Sequence, residues 1–207
     1  MTDASRTPRP RLPTDAEIRA LHAAHAPTQE AFELVHTHCE IVCAIALDLA
    51  DRAGLDVDAE LVKAGSLLHD IGVYLLYDDD GRLGHAGYVR HGILGHELLR
   101  AEGLPEILCR FCSHHTGVGI SRADVLRQGL PLPPADYLAE SAEEELVMFA
   151  DKFHSKTEPP RFVSAGAYAA HVRRYGEDKA ERFAAMCAAF GVPDLRPLSD
   201  AYGHEIV

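Results

Sequence analysis

The chain has 207 residues, and its 20 Lys and Arg against 32 Asp and Glu give a formal net charge of −12. This acidic balance argues against a broad nucleic-acid-binding surface. No apolar run reaches the roughly 18 residues that a membrane span needs, and residues 1–13 lack the apolar core of a signal peptide. We therefore expect a soluble, cytoplasmic protein with no membrane partner, and its five cysteines, which form no regular framework, agree with a reducing compartment.

Composition also indicates the fold class. Ala and Leu are frequent, Trp is absent and alternating β-branched residues are rare, which favours an all-α architecture. The length suits one domain with a substantial core. We expect a flexible N-terminal tail over residues 1–13, a domain with C-terminal helices over 14–195, and a second tail over 196–207.

Capping residues and apolar periodicity predict the helices. Thr14 to Glu17 has the form of a capping box, and Gly54 is typical of a helix end. In chain order, we expect helices near residues 14–24, 28–53, 58–69, 89–102, 106–114, 121–128, 141–151, 165–175 and 178–190. Stretches 78–87 and 129–138 read as loops.

Four residues on three of these helices have the chemistry of metal ligands. His69 and Asp70 are adjacent, so their side chains diverge by about 100° on a helix and meet only around a shared object. Small apolar residues follow His38 at intervals of four, which turns its imidazole inward. Asp151 follows the apolar stretch 146–150, where an unpaired charge is costly. A His-Asp pair alone is more typical of a helix cap or surface ion pair, but together these groups favour a divalent metal.

The pattern of a first His, a His-Asp pair and a late Asp resembles the HD superfamily of metal-dependent phosphohydrolases. The matching residues are His38, His69, Asp70 and Asp151, and His69 to Gly72 reproduces the family's His-Asp-Ile-Gly signature. The resemblance covers roughly residues 35–161. It implies an all-α, HD-domain helical bundle around a metal site, in which Asp70 and His69 are catalytic.

Two further histidine clusters resemble those of HD members with two metals, including the HD-GYP type and the HD hydrolases of diadenosine tetraphosphate. By that resemblance His91 and His115 would hold a second ion, with His114 as the alternative to His115. His96 lies about 140° from His91 on a helix, so we expect it to have a structural role or to support the ligands from outside. No Gly-Tyr-Pro follows the double His, which argues against cleavage of cyclic-di-GMP. The Gly-Ile and Gly-Leu-Pro segments downstream resemble uncharacterised prokaryotic HD-domain proteins of the HDIG type.

The resemblance implies hydrolysis of a phosphate ester or anhydride by water that one or two divalent ions activate, with Fe, Mn, Mg, Co, Ni and Zn all open. The expected partner is a small phosphorylated substrate, foremost a nucleotide. Lys152, Lys156 and Arg161 follow Asp151 and are candidate phosphate contacts, although a solvated helix face explains them equally well. The sequence leaves open whether the protein forms a homodimer.

Two other functions remain open. Some HD-fold enzymes use a di-iron centre to oxygenate a substrate, and the same residue types are present here. A non-catalytic ligand-binding regulatory module is the third possibility, although such members typically lose ligands. The Cys109-x-x-Cys112 motif has no second pair, so core packing is its better explanation.

Overall fold

Helices account for most of residues 11–207, the part of the chain described by the structure, a computed structural model. The helices are α1 (Asp15–His25), α2 (Gln29–Ala53), α3 (Ala59–Leu68), α4 (His91–Ala101), α5 (Glu106–Ser113), α6 (Arg122–Gln128), α7 (Ala142–Asp151), α8 (Ala165–Val172), α9 (Glu177–Phe190) and α10 (Arg196–Tyr202). Short 3-10 helices cover Ile71–Leu76, Tyr88–Arg90 and Arg173–Tyr175, and the two-residue strands β1 (His154–Ser155) and β2 (Arg161–Phe162) pair antiparallel. The all-α prediction is confirmed.

Helix α2 is the centre of the bundle. The Thr28 side chain accepts from Ala31 N at its start, and Gly54 ends it in the left-handed conformation. One face is fully buried, including Val35 and Val42, and it packs against α3 and α7. On the other side, α4 packs against α5 and against the chain that follows α3, and α5 packs against α3. This arrangement turns the inner faces of five helices towards one region of the core.

Close backbone packing after α3 requires glycine. A Cβ placed on Gly72 would lie 2.1 Å from His91 O and 2.3 Å from Gly95 N. The 3-10 helix that follows Asp70 therefore lies directly on the first turn of α4. This contact brings Asp70 and His91, which are far apart in sequence, to the same place.

The predicted helices occur, with differences at their ends. The helix expected over 58–69 ends at Leu68, because the chain tightens there into the 3-10 helix Ile71–Leu76. The last three residues of the helix expected over 165–175 are also 3-10. Residues 1–10 of the predicted N-terminal tail lie outside the described residues. Within residues 11–207, no helix is both long and apolar enough to cross a membrane.

The tail expected over residues 196–207 is corrected by the structure. Residues Arg196–Tyr202 form α10, whose Leu198 packs on the core. The segment that follows α10 pairs with the free edge of β2. Phe162 N donates to Glu205 O at 2.8 Å, and Val207 N donates to Phe162 O at 3.0 Å. An unpaired strand edge offers backbone partners to any extended segment nearby, and composition does not reveal such pairing.

Candidate metal centre

Six of the predicted ligands converge on one buried region. They lie in the middle of α2 (His38), at the end of α3 (His69 and Asp70), at the start of α4 (His91), just beyond α5 (His115) and at the end of α7 (Asp151). Most lie at helix ends, where a side chain can reach across the bundle without displacing a core residue. Asp151 is 15% exposed and the others are buried.

The first donor group contains His38, His69, Asp70 and Asp151. His38 Nε2 lies 3.0 Å from Asp151 Oδ1, 3.1 Å from Asp70 Oδ2 and 3.3 Å from His69 Nε2. The four candidate ligand atoms all lie within 4.8 Å of one another. Two imidazole nitrogens and two carboxylate oxygens are a donor set that suits a borderline divalent ion.

The second donor group shares Asp70 with the first. His91 Nε2 lies 3.0 Å from His115 Nε2, and these nitrogens lie 3.4 and 3.5 Å from Asp70 Oδ1. Asp70 therefore directs Oδ2 to one group and Oδ1 to the other. A carboxylate in this position can bridge two ions.

Hydrogen bonds on the outer side of three imidazoles fix which nitrogen faces inward. Their Nδ1 atoms lie within hydrogen-bond distance of backbone carbonyls: His69 to Ser66 O at 2.7 Å, His91 to Tyr88 O at 2.7 Å and His115 to Phe111 O at 2.9 Å. A carbonyl oxygen only accepts, so each Nδ1 carries a hydrogen and donates. In a neutral ring Nε2 then carries a free lone pair, which a metal ligand requires.

The second group fits a cation. Burial lowers the pKa of His91 to about 4 and also lowers that of His115, so both rings are neutral at pH 7. Their lone pairs face Asp70 Oδ1, which is buried and has no hydrogen-bond partner among the described residues. Three acceptors around one point leave a buried carboxylate oxygen uncompensated, and a divalent ion satisfies all three.

In the first group, positive charges lie among the carboxylates. Burial opposes ionisation of Asp70, but the charges of Lys156 and His69 hold its pKa well below the usual range. Burial opposes and Asp70 favours the charge on His69, whose pKa is raised well above its usual value. Binding of an ion here would displace that proton.

Two of the three predicted phosphate contacts lie at this centre. Lys156 Nζ contacts Asp70 Oδ2. Lys152 Nζ lies 2.6 Å from Asp151 Oδ2 and donates to His115 O at 3.0 Å. Both lysines are mostly buried, so they are built into the centre and do not belong to a solvated helix face.

The donor groups open into a cavity of about 420 Å³. Apolar and aromatic side chains form much of its wall, among them Tyr88, Val89, Ile120, Leu130, Tyr168 and Val172. Asp124 and Lys179 add polar groups to the wall, and their side chains are paired at 2.5 Å. A neighbouring cavity of about 610 Å³ shares Tyr88, Tyr168 and Lys156 with the first.

Helix α9 holds the loop that follows His115. Lys179 Nζ donates to Gly119 O at 3.0 Å, and Arg182 Nε donates to Val118 O at 2.8 Å. These bonds satisfy loop carbonyls that line the cavity and fix the wall beside the second donor group.

Two histidines and one arginine named from the sequence lie outside the donor groups. His114 Nδ1 lies 2.6 Å from Ser113 Oγ, so of the adjacent pair only His115 faces the centre. Arg161 is exposed on β2 and donates to Thr157 Oγ1 at 3.2 Å. His96 contacts Ser113 Oγ at 2.9 Å, in keeping with a structural role.

Sequence reasoning missed His154 and His204. His154 Nδ1 lies 2.8 Å from His38 Nδ1, and its Nε2 lies 3.0 Å from His204 Nδ1. Burial lowers the pKa of His154 to about 2, so this ring is neutral. Its position three residues after Asp151 was the available signal.

Comparison with known proteins gives several relatives. The chain is 38% identical over 122 residues to the uncharacterised protein MJ0778 of Methanocaldococcus jannaschii, which covers 58% of this chain and 65% of that protein. Proteins named tRNA (cytidine(56)-2'-O)-methyltransferase match at 34% over 128 residues in Picrophilus torridus and 30% over 157 residues in Thermoplasma volcanium. The matches cover 62% and 75% of this chain but 33% and 41% of those enzymes, so the chain spans less than two thirds of each relative.

Two solved structures share the fold. The HD domain of the Listeria monocytogenes phosphodiesterase PgpH has a TM-score of 0.54 at 14% identity, over 89% of this chain and 98% of that one. Its complex with cyclic-di-AMP has a TM-score of 0.53 at 15% identity, over 92% and 99%.

A family model, the HD domain, matches residues 35–156. This range contains every residue of both donor groups. The chain belongs to the HD-domain family.

Proposed function

We propose that this protein is a metal-dependent phosphohydrolase that cleaves a phosphate ester or anhydride of a small molecule, with a nucleotide as the expected substrate. The observation that carries the proposal is the placement of Asp70, which offers one oxygen to each of two donor groups beside Lys156 at a cavity. Such a centre combines ligands for two divalent ions with cations for a phosphate.

The first donor group would use His38, His69, Asp70 and Asp151 to hold one ion, and Asp70, His91 and His115 would hold a second. Bound divalent ions neutralise charge on phosphoryl oxygens and lower the pKa of a coordinated water. His69 and Asp70 would act by supplying donor atoms that hold the ions in place, and no separate nucleophilic side chain is required.

Lys152 and Lys156 would contact the phosphate. Each is held against a ligand carboxylate, Asp151 and Asp70 respectively, and each lines the cavity. When those carboxylates turn to an ion, the ammonium groups can contact phosphoryl oxygens as point charges. Arg161 is exposed and paired with Thr157, and we assign it no role in binding.

The cavity supports a small substrate with a flat apolar part. About 420 Å³ falls in the range of small-molecule sites. Tyr88 and Tyr168 offer aromatic surface, and Asp124 and Lys179 offer hydrogen-bonding groups, a combination that suits a nucleobase. The PgpH domain in complex with cyclic-di-AMP supports a nucleotide by analogy of fold. We do not extend the methyltransferase activity of the longer relatives to this chain.

A substrate screen tests the proposal. Purified protein is loaded separately with Mn²⁺, Mg²⁺, Fe²⁺, Co²⁺, Ni²⁺ and Zn²⁺ and assayed anaerobically against nucleoside monophosphates, dinucleotides, cyclic dinucleotides and sugar phosphates. We expect metal-dependent release of phosphate or a nucleotide, lost in Asp70→Ala. The matched control is His25→Ala, which removes a histidine of α1 that pairs with Glu102.

The alternatives predict other outcomes. In parallel aerobic assays, turnover that requires Fe²⁺, consumes oxygen and is absent under anaerobic conditions would support the oxygenase and refute the hydrolase. Binding of a phosphorylated ligand without turnover in any metal would support a regulatory module. An activity that Asp70→Ala leaves intact would overturn the proposed centre.

A further inference from the structure

His38 differs from the other histidines of the donor groups in what supports its outer nitrogen. His69, His91 and His115 each have Nδ1 beside a backbone carbonyl, which can only accept. His38 Nδ1 has His154 Nδ1 at 2.8 Å instead. An imidazole nitrogen either donates or accepts. This contact therefore determines which nitrogen of His38 carries the hydrogen only once the position of the hydrogen on His154 is set.

An ion bound at His38 would fix that state, and the contact between His154 and His204 accommodates it. His154 Nε2 lies 3.0 Å from His204 Nδ1, and the three rings follow one another with centroids 5.2 Å apart at each step. If His38 Nε2 faces an ion, its Nδ1 carries the hydrogen and donates to His154 Nδ1. His154 must then carry its hydrogen on Nε2 and donate it to His204 Nδ1.

His204 is held in place by the chain around it. Ser199 Oγ donates to His204 O at 2.7 Å, and the residues that follow pair with β2 and with Ser164 N. Phe162 of β2 packs against the rings of both His154 and His204. The segment 204–207 is thus fixed relative to the centre by its own backbone bonds.

We propose that His154 and His204 form an outer imidazole chain that accepts the Nδ1 hydrogen of His38 and so leaves His38 Nε2 free to coordinate. The chain makes segment 204–207 a part of the metal centre, although it lies more than 50 residues beyond Asp151. This inference rests on the proposed role of His38 as a ligand and does not depend on which reaction follows. His154 and His204 are positioning residues, since neither belongs to a donor group.

Zinc titration of the folded protein tests the chain. His154→Phe keeps a ring of similar size but removes the acceptor, which leaves a buried N–H unpaired. We expect the affinity for one of two Zn²⁺ equivalents to fall about 10- to 100-fold, the usual effect of losing such a partner. The second equivalent, held by His91 and His115, should stay close to wild type. His154→Gln, whose amide oxygen can accept, should lose less.

Two further variants keep the test decisive. His204→Ala changes a partly exposed residue and should produce a smaller loss at the same equivalent. His25→Ala, distant from the centre, should bind both equivalents as wild type does. If His154→Phe does not fold, as judged from circular dichroism, His154→Gln and His204→Ala supply the comparison.

Nitrogen-15 spectra of the Zn²⁺-loaded wild type give a second readout. We expect His154 to carry its hydrogen on Nε2, and its Nε2 resonance to move in His204→Ala because the acceptor of that hydrogen is lost. Wild-type zinc affinity in every folded His154 variant, or a hydrogen on His154 Nδ1, would overturn the inference. A protein that shows the expected tautomers but hydrolyses nothing would refute the proposed function alone.

Discussion

Replacement of Gly72 by alanine tests how Asp70 and His91 are brought together. An added Cβ would lie 2.1 Å from His91 O and 2.3 Å from Gly95 N, and both atoms belong to the backbone of α4. No side-chain rotation relieves such contacts, so the 3-10 helix and α4 must separate. Overpacking typically costs 1–3 kcal/mol, and a clash with two backbone atoms belongs at the upper end, about 3 kcal/mol.

The assay is thermal unfolding together with zinc titration. A loss of about 3 kcal/mol lowers the midpoint by roughly 6–12 °C in a chain of this size. Separation of the 3-10 helix from α4 should also weaken the Zn²⁺ equivalent that we propose for His91 and His115. Gly166→Ala is the matched control, because nothing lies within 4 Å of its added Cβ and α8 should tolerate it. A Gly72→Ala protein with wild-type midpoint and zinc binding would refute this account of the packing.

The remaining predictions concern buried polar groups and the core. Burial lowers the pKa of His22 to about 4, so between pH 6.5 and 4 the unfolded chain binds a proton that the folded chain does not. The free energy of unfolding should therefore fall by about 2 kcal/mol from pH 6.5 to 5. Urea titrations of His22→Gln should show a smaller dependence of this free energy on pH. Lys179→Met should cost about 2 kcal/mol in urea unfolding, since it leaves Asp124 less compensated, whereas Arg173→Ala, at an exposed pair, should change stability by under about 0.5 kcal/mol. Phe111→Ala, which empties a buried site against Gly65, should cost about 3–5 kcal/mol by the same measurement.

The first donor group could be predicted from local signals and the family pattern, whereas His91 and His115 were predicted only from the resemblance to HD members with two metals. Periodicity predicts that His38 faces inward, because it lies in a helix with one apolar face. His69 and Asp70 were identified as a pair that, together with His38 and Asp151, matches the HD pattern. The structure brings His38, His69 and Asp70 together with Asp151. That they bind metal stays a prediction, which the titrations above test.

His114 and His115 show where local signals end. Adjacent residues face different directions, and the choice depends on how the chain leaves α5. His114 adopts a non-helical conformation with φ −114° and ψ 11°, which turns the next side chain towards the centre. No periodicity extends across such a break, so the sequence left both residues open.

The imidazole chain was missed for a different reason. His204 reaches His154 only because residues 205–207 pair with β2, and β2 exists only because a short hairpin follows α7. Each of these contacts is set by the tertiary structure. Two-residue strands give no alternation to detect, so a composition-based reading assigns the segment to a tail.

The acidic composition and a phosphate substrate are compatible because charge at the centre is arranged locally. The net charge of −12 is spread over the chain, whereas Lys152 and Lys156 lie on the two carboxylates that the ions would use. An ion in the first donor group would compete with Lys156 for Asp70 Oδ2, whereas Lys152 contacts Asp151 Oδ2 and leaves Oδ1 facing the donor group. That ion would add positive charge and release the Lys156 ammonium group from Asp70, so the attraction for a phosphate would rise by more than the charge of the ion alone. A phosphate should accordingly bind far more tightly to the loaded protein than to the metal-free one.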